Sequence, residues 1–151
     1  MRILELFRGT GSIGNTFAEQ GWEVISLDSD VKTDAKTHED ILTWDYTVYP
    51  PGHFDVIWAS PCCTQYSCAR RNAKTPRNLS LADSLVLRSR EIINYYNPRV
   101  WFIEDPQTGM LKDRPFMVGL PFTDIDYCCY CDWGYRKKTR SWNNVGFEGD
   151  R

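Results

Sequence analysis

A doubly wound α/β fold with a mostly parallel sheet is predicted by three features: four short apolar runs, helical patterns between them, and polar or Gly/Pro residues closing each run. Buried parallel strands read as continuous apolar runs, and strands that alternate with helices imply crossover connections. In open sheets of this kind ligands bind beyond the carboxyl ends of the strands. The residues that close each run are therefore the first candidates for a site.

In chain order, the first run carries Ile3, Leu4, Leu6 and Phe7 and ends at Gly9-Thr10-Gly11. Ser12 is placed to cap a short helix bearing Ile13 and Phe17 and stopped by Gly21. The second run, Trp22 to Leu27, ends at Asp28, and the third, Phe54 to Ala59, ends at Ser60-Pro61. Between them a polar stretch holds Ile41, Leu42 and Trp44, which read as a short strand and its exit. Residues 68 to 79 lack periodicity and read as a long loop. Residues 80 to 97 carry Ala82, Leu85, Val86, Ile93 and Tyr96 at helical spacing, with Ser80 and Asp83 resembling a capping box. The fourth run, Val100 to Ile103, ends at Glu104-Asp105-Pro106, and residues 123 to 131 and 140 to 147 read as two further strands.

The 151 residues, with 18 Lys+Arg against 20 Asp+Glu, suit a single domain spanning 1–151. No apolar run approaches the roughly 20 residues of a membrane span, and the opening residues have a charge inside their apolar stretch, unlike a signal peptide. A cytoplasmic protein with no membrane partner is expected. The six cysteines fall into two groups, Cys62, Cys63, Cys68 and Cys128, Cys129, Cys131. Only Cys128 and Cys131 have C-x2-C spacing, so no metal centre is expected. Residues 1–60 hold ten acids and four bases, whereas residues 61–151 hold ten acids and fourteen bases. The basic residues cluster at Arg70, Arg71, Lys74 and Arg77 and at Arg136, Lys137, Lys138 and Arg140, a local nucleic-acid footprint in a chain that is not basic overall.

Three constellations carry chemistry. Gly9, Gly11 and Gly14 follow a strand and open a helix, where glycine permits a tight turn and a close approach to the positive helix end. Asp28 closes the next strand, where a carboxylate can accept ribose hydroxyls, so the pair points to an adenosine-containing ligand. At the end of the third run, Cys62 and Cys63 precede a basic stretch that favours thiolate, and by environment alone either could be a nucleophile. Glu104, emerging from an apolar strand, suits an acid that hydrogen-bonds or protonates a substrate ring nitrogen.

The ordered series Leu6-Phe7-Arg8-Gly9-Thr10-Gly11, Asp28, Ser60-Pro61-Cys62-Cys63-Thr64-Gln65-Tyr66-Ser67, Ile103-Glu104-Asp105-Pro106 and Arg136-Lys137-Lys138-Thr139-Arg140 resembles the motifs of the cytosine-5 DNA methyltransferase family, most of all its short phage-type members. The resemblance runs from about residue 2 to residue 144 and implies a Rossmann-like methyltransferase fold. In the family pattern an aromatic residue and a serine follow the nucleophile at fixed distance; counting back from Tyr66 and Ser67 places the thiol at Cys63.

By the same resemblance, Cys63 attacks C6 of a flipped-out cytosine, Glu104 binds its N3 and exocyclic amine, and C5 accepts the methyl group of S-adenosylmethionine. Arg140 matches the basic residue near the cytosine O2. Phe7, Gly9 and Gly11 contact the cofactor, Asp28 its ribose and Asp40 its adenine. Pro61, with Ser67, shapes the active loop beside the cofactor, and Arg70, Arg71 and Lys138 are available to the nucleic acid.

Two departures stand out. Cys62 replaces a proline, and Asp105 puts an acid where the family carries an amide. By the same resemblance, the family's separate target-recognition region is not expected within these 151 residues, and a partner chain or a second copy of this one is a candidate to supply it. Two other readings stay open: methylation of RNA cytosine, and a weakly active nucleic-acid-binding relic or subunit.

Overall fold

The computed structural model describes residues 1–8, 11–61, 79–106, 110–126 and 138–146. Six strands form one sheet: β1 (Arg2–Leu6), β2 (Glu23–Leu27), β3 (Val56–Ala59), β4 (Val100–Pro106), β5 (Phe122–Asp126) and β6 (Lys138–Asn143). Among the described residues two α-helices accompany them, α1 (Ser12–Glu19) and α2 (Leu79–Tyr96). The strand order is β2-β1-β3-β4-β6-β5; β1 pairs in parallel with β2 and β3, and β3 with β4, while β6 runs antiparallel between β4 and β5. From β1 the chain moves outward to β2 on one side, and the later strands build on the other, so the order reverses at β1/β3. That reversal opens a crevice at the strand ends.

Strand alternation gives the sheet two faces. Leu4, Leu6, Ile57, Ala59, Ile103 and Trp142 point into a core completed by Ala82, Val86, Ile93 and Tyr96 of α2. Ile3, Val24 and Val56 point the other way and pack with Ile13 and Phe17 of α1 and with Trp22, whose ring meets that of Phe17 edge-on at 4.9 Å. Glu5 lies on this second face and is almost wholly buried, at 2% exposure.

The structure amends the expected elements in three places. Ile41 to Trp44 form a turn, not a strand, because the backbone NH groups of Thr43 and Trp44 both donate to the Asp40 carbonyl. Gly11 rather than Ser12 is the N-cap of α1; its left-handed backbone (φ 78) offers no capping side chain, and Asn15 NH closes the first turn on its carbonyl. The last two strands begin earlier than their apolar residues suggest, because β5 and β6 are stabilised by pairing with each other and with β4. The long loop expected at 68 to 79 falls, up to residue 78, outside the described residues.

Candidate active site

The ends of β1, β2 and β3 meet around one cavity of about 410 Å³, within the range of small-molecule sites. Three of the expected residues line it together: Phe7 from the exit of β1, Asp28 from the exit of β2, and Asp40 from the turn that follows. Phe7 has φ 61, a left-handed backbone that costs a non-glycine residue on the order of 1–3 kcal/mol. This conformation turns the chain sharply out of β1. Arg8 NH then donates to Leu27 O at 3.1 Å, tying the turn to the end of β2.

Asp40 is positioned by its neighbours on both sides. Its carboxylate accepts the Leu42 NH at 2.9 Å, and Arg88 reaches from α2 to donate to the carbonyls of Ile41 (3.0 Å) and Trp44 (2.9 Å). This turn is thus pinned to the helix that also contributes Leu81 and Leu85 to the cavity wall. Sequence reasoning passed over Leu81, Leu85 and Glu39, while Ser60, which closes the third run, joins them at the cavity. The two leucines precede the core-facing Val86 by five residues and one residue, so their cavity-facing position depends on how α2 docks; no motif announces it.

The lining chemistry tests what could bind. Phe7, Leu27, Ile41, Leu81 and Leu85 supply an apolar wall, while Asp28, Glu39 and Asp40 place three carboxyl groups on the rim, with no basic side chain among the described lining residues. A flat purine fits the wall and ribose hydroxyls fit carboxylate acceptors. Acidic groups also favour a cationic ligand over a pyrophosphate, which would want basic or backbone NH donors. A sulfonium-bearing nucleoside such as S-adenosylmethionine fits this lining.

Two glycines of the motif also make room inside the protein itself. A Cβ on Gly11 would lie 2.8 Å from the Arg8 guanidinium carbon, and one on Gly14 would lie 2.0 Å from a Glu5 carboxylate oxygen. The room that these glycines leave is filled by the protein's own ion pair.

On the other side of the crevice, β4 and β6 bring Glu104 and Ser141 opposite each other, and Asp105 opposite Arg140. Arg140 is held by Asp124 through Nε (2.7 Å) and Nη2 (2.9 Å) and stacks over the Phe122 ring at 3.8 Å. Asp105 is buried at 3% exposure, and its Oδ2 has no hydrogen-bond partner. Burial, reinforced by the neighbouring Glu104 charge, pushes its carboxyl up to about 7.

Pro61 is buried at the exit of β3. Gly9, Cys63, Ser67, Arg70 and Arg71 lie outside the described residues, as do the other five cysteines; Lys138 opens β6, but its side chain is also outside them. No helix among the described residues is long and apolar enough to cross a membrane.

No protein-family model matches the chain. A Frog virus 3 (isolate Goorha) protein named "Probable DNA (cytosine-5)-methyltransferase" is 38% identical to it over 157 aligned positions, covering 96% of this chain and 71% of the viral protein. Among solved structures, an E. coli prophage-encoded protein described as a DNA modification methyltransferase superposes with a TM-score of 0.68 at 13% identity, over 95% of this chain and 46% of its own. The S. pombe Dnmt2 methyltransferase gives 0.62 at 16% identity, over 100% of this chain and 53% of its own. The Entamoeba histolytica methyltransferase EhMeth gives 0.59 at 14% identity, over 93% and 52% respectively. The chain spans about half the length of these structures, and the likeness establishes a Rossmann-like methyltransferase fold.

Proposed function

We propose a reaction for this chain, an enzyme that belongs to the DNA (cytosine-5)-methyltransferase family: transfer of a methyl group from S-adenosylmethionine to C5 of a cytosine in DNA, through a covalent cysteine adduct. The observation that carries this reading is the viral relative, 38% identical along nearly the whole chain and named for that activity. The acidic, apolar-walled cavity at the β1/β3 reversal supports the choice of cofactor.

Bound there, S-adenosylmethionine supplies an electrophilic methyl group and leaves as S-adenosylhomocysteine. Asp28 accepts ribose hydroxyls, Asp40 accepts the adenine amine, and Phe7, Leu81 and Leu85 exclude water from the ring. Gly9, Gly11 and Pro61 complete the cofactor side of the turn. The Cys63 thiolate adds to C6 of a cytosine swung out of its stack, which makes C5 nucleophilic. Glu104 holds N3, Arg140 lies toward O2, and Ser67, Arg70, Arg71 and Lys138 hold the backbone of the DNA. After transfer, loss of the C5 proton expels the thiolate and restores the ring.

Incubation with methyl-labelled S-adenosylmethionine, with duplex DNA and RNA side by side, tests the reading. Label on cytosine C5 of the DNA is expected. Label on RNA alone would replace the substrate, and binding of DNA without transfer would mark a non-catalytic relic. A narrower prediction concerns the cofactor: Asp28→Ala weakens S-adenosylmethionine binding roughly tenfold or more in calorimetry, since a carboxylate acceptor for two hydroxyls is lost.

A further inference from the structure

We propose that Arg8 is the positioning residue of the cofactor site, acting through an ion-pair cluster that locks the chain segments carrying Phe7, Asp28 and Asp40. The proposal rests on the S-adenosylmethionine reading above and extends it to residues that do not line the cavity.

The Arg8 side chain is only 7% exposed, an unusual place for a guanidinium unless every arm is matched. Its Nε donates to Asp34 Oδ1 at 2.7 Å, and its Nη2 to Asp34 Oδ2 at 3.3 Å and to Asn15 Oδ1 at 2.9 Å. Nη1 reaches Glu5 Oε2 at 3.3 Å. The four contacts span β1, α1 and the segment after β2. The fork on Asp34 is the shorter and bidentate one, which carries directional specificity as well as charge. Asp34 responds accordingly, its carboxyl lowered first by the Arg8 hydrogen bond, whereas burial outweighs Arg8 at Glu5 and raises it.

Geometry then links the cluster to the cavity. Arg8 follows Phe7 directly, and the Gly11 NH donates to the Arg8 carbonyl at 2.9 Å, so the guanidinium anchors the strained turn that aims Phe7. Gly11 and Gly14 have no room for a Cβ because this cluster occupies it. On the far side, Asp34 precedes Thr37, whose NH and carbonyl bond Ser26 O (3.0 Å) and Asp28 NH (3.1 Å) along the edge of β2. That short parallel bridge sets where Asp28 and, three residues beyond Thr37, Asp40 enter the cavity. A shift in Asp34 therefore reaches both cofactor carboxylates without touching the ligand.

The test uses the full chain and a substitution at an exposed end of the cluster. The Asp34 side chain is 71% exposed, so Asp34→Ala removes the fork while leaving Glu5 paired with Arg8. The expected result is a rise of roughly threefold to tenfold in the dissociation constant for S-adenosylmethionine, measured by calorimetry, with kcat at saturating cofactor changed by less than about twofold. Asp34→Glu, which keeps the carboxylate, recovers most of the affinity. Arg8→Lys, which keeps charge but loses the fork, resembles Asp34→Ala. An unchanged dissociation constant in Asp34→Ala, whether or not the melting temperature falls, overturns the positioning role. Failure of the native chain to bind S-adenosylmethionine overturns the cofactor reading itself, and this proposal with it.

Discussion

Replacing Cys63 with alanine reduces methyl transfer by more than about a thousandfold, while Cys62→Ala leaves it within an order of magnitude of the native rate. The asymmetry follows from the proposed chemistry. An aromatic cytosine ring has little tendency to attack a methyl donor through C5, and addition of a thiolate at C6 is what changes that. Without that addition C5 stays a poor nucleophile, so loss of the thiol is close to total. The basic residues that follow in the sequence, Arg70, Arg71, Lys74 and Arg77, are expected to favour the thiolate. S-adenosylmethionine affinity should persist in both variants, because Phe7, Asp28 and Asp40, proposed to hold the cofactor, are unchanged. Equal transfer by Cys63→Ala and the native chain would contradict the assignment.

Asp105 yields the largest expected effect on stability. Its carboxyl sits at about 7, raised first by burial and then by Glu104. A raised value means that the folded chain keeps a proton that the unfolded chain releases above about pH 4. The contribution of this group is therefore most favourable below pH 4, declines as pH rises through 5 and 6, and is fully lost above 7. Asp105→Asn removes that decline. The variant should be more stable than the native protein by on the order of 3 kcal/mol at pH 8, with the difference shrinking toward zero near pH 4. Melting temperature followed against pH measures this directly, and parallel curves for the two proteins would contradict it. The same physics explains how an acid can stand where the family carries an amide. A protonated carboxyl offers one donor and one acceptor, close in shape to asparagine.

The strands at the heart of the sheet were legible because each is a short apolar run that ends abruptly. Ile3 to Leu6, Val24 to Leu27, Val56 to Ala59 and Val100 to Ile103 all pair as parallel neighbours, as such runs predict. The outer strands were harder to bound. β5 contains Thr123, Asp124 and Asp126, and β6 contains Thr139, Arg140, Ser141 and Asn143; these residues form strands because partners across the sheet satisfy their backbones. Tertiary pairing of that kind leaves little trace in local pattern. Ile41 to Trp44 misled in the opposite direction: their apolar side chains are mostly buried by tertiary packing around α2 while the backbone turns.

The site divides in the same way. Asp28 could be named because it stands at a strand exit, and Phe7 and Asp40 through the family resemblance; the structure brings all three to one cavity. Leu81 and Leu85 could not be named, since their position depends on the docking of a helix seventy residues away from Gly11. Arg8 was quoted within a glycine motif, yet its partners Glu5, Asn15 and Asp34 are scattered over thirty residues. Only the fold gathers them.

The most direct test of the account is a covalent trap. Duplex DNA carrying 5-fluorocytosine blocks the final loss from C5, so the thiol adduct persists after methyl transfer. Incubated with the native chain and S-adenosylmethionine, such DNA should yield a stable protein–DNA complex whose digestion maps the attachment to Cys63, and Cys63→Ala should yield none. A native chain that transfers label to cytosine C5 but forms no adduct, or an adduct that maps to Cys62, would contradict the account.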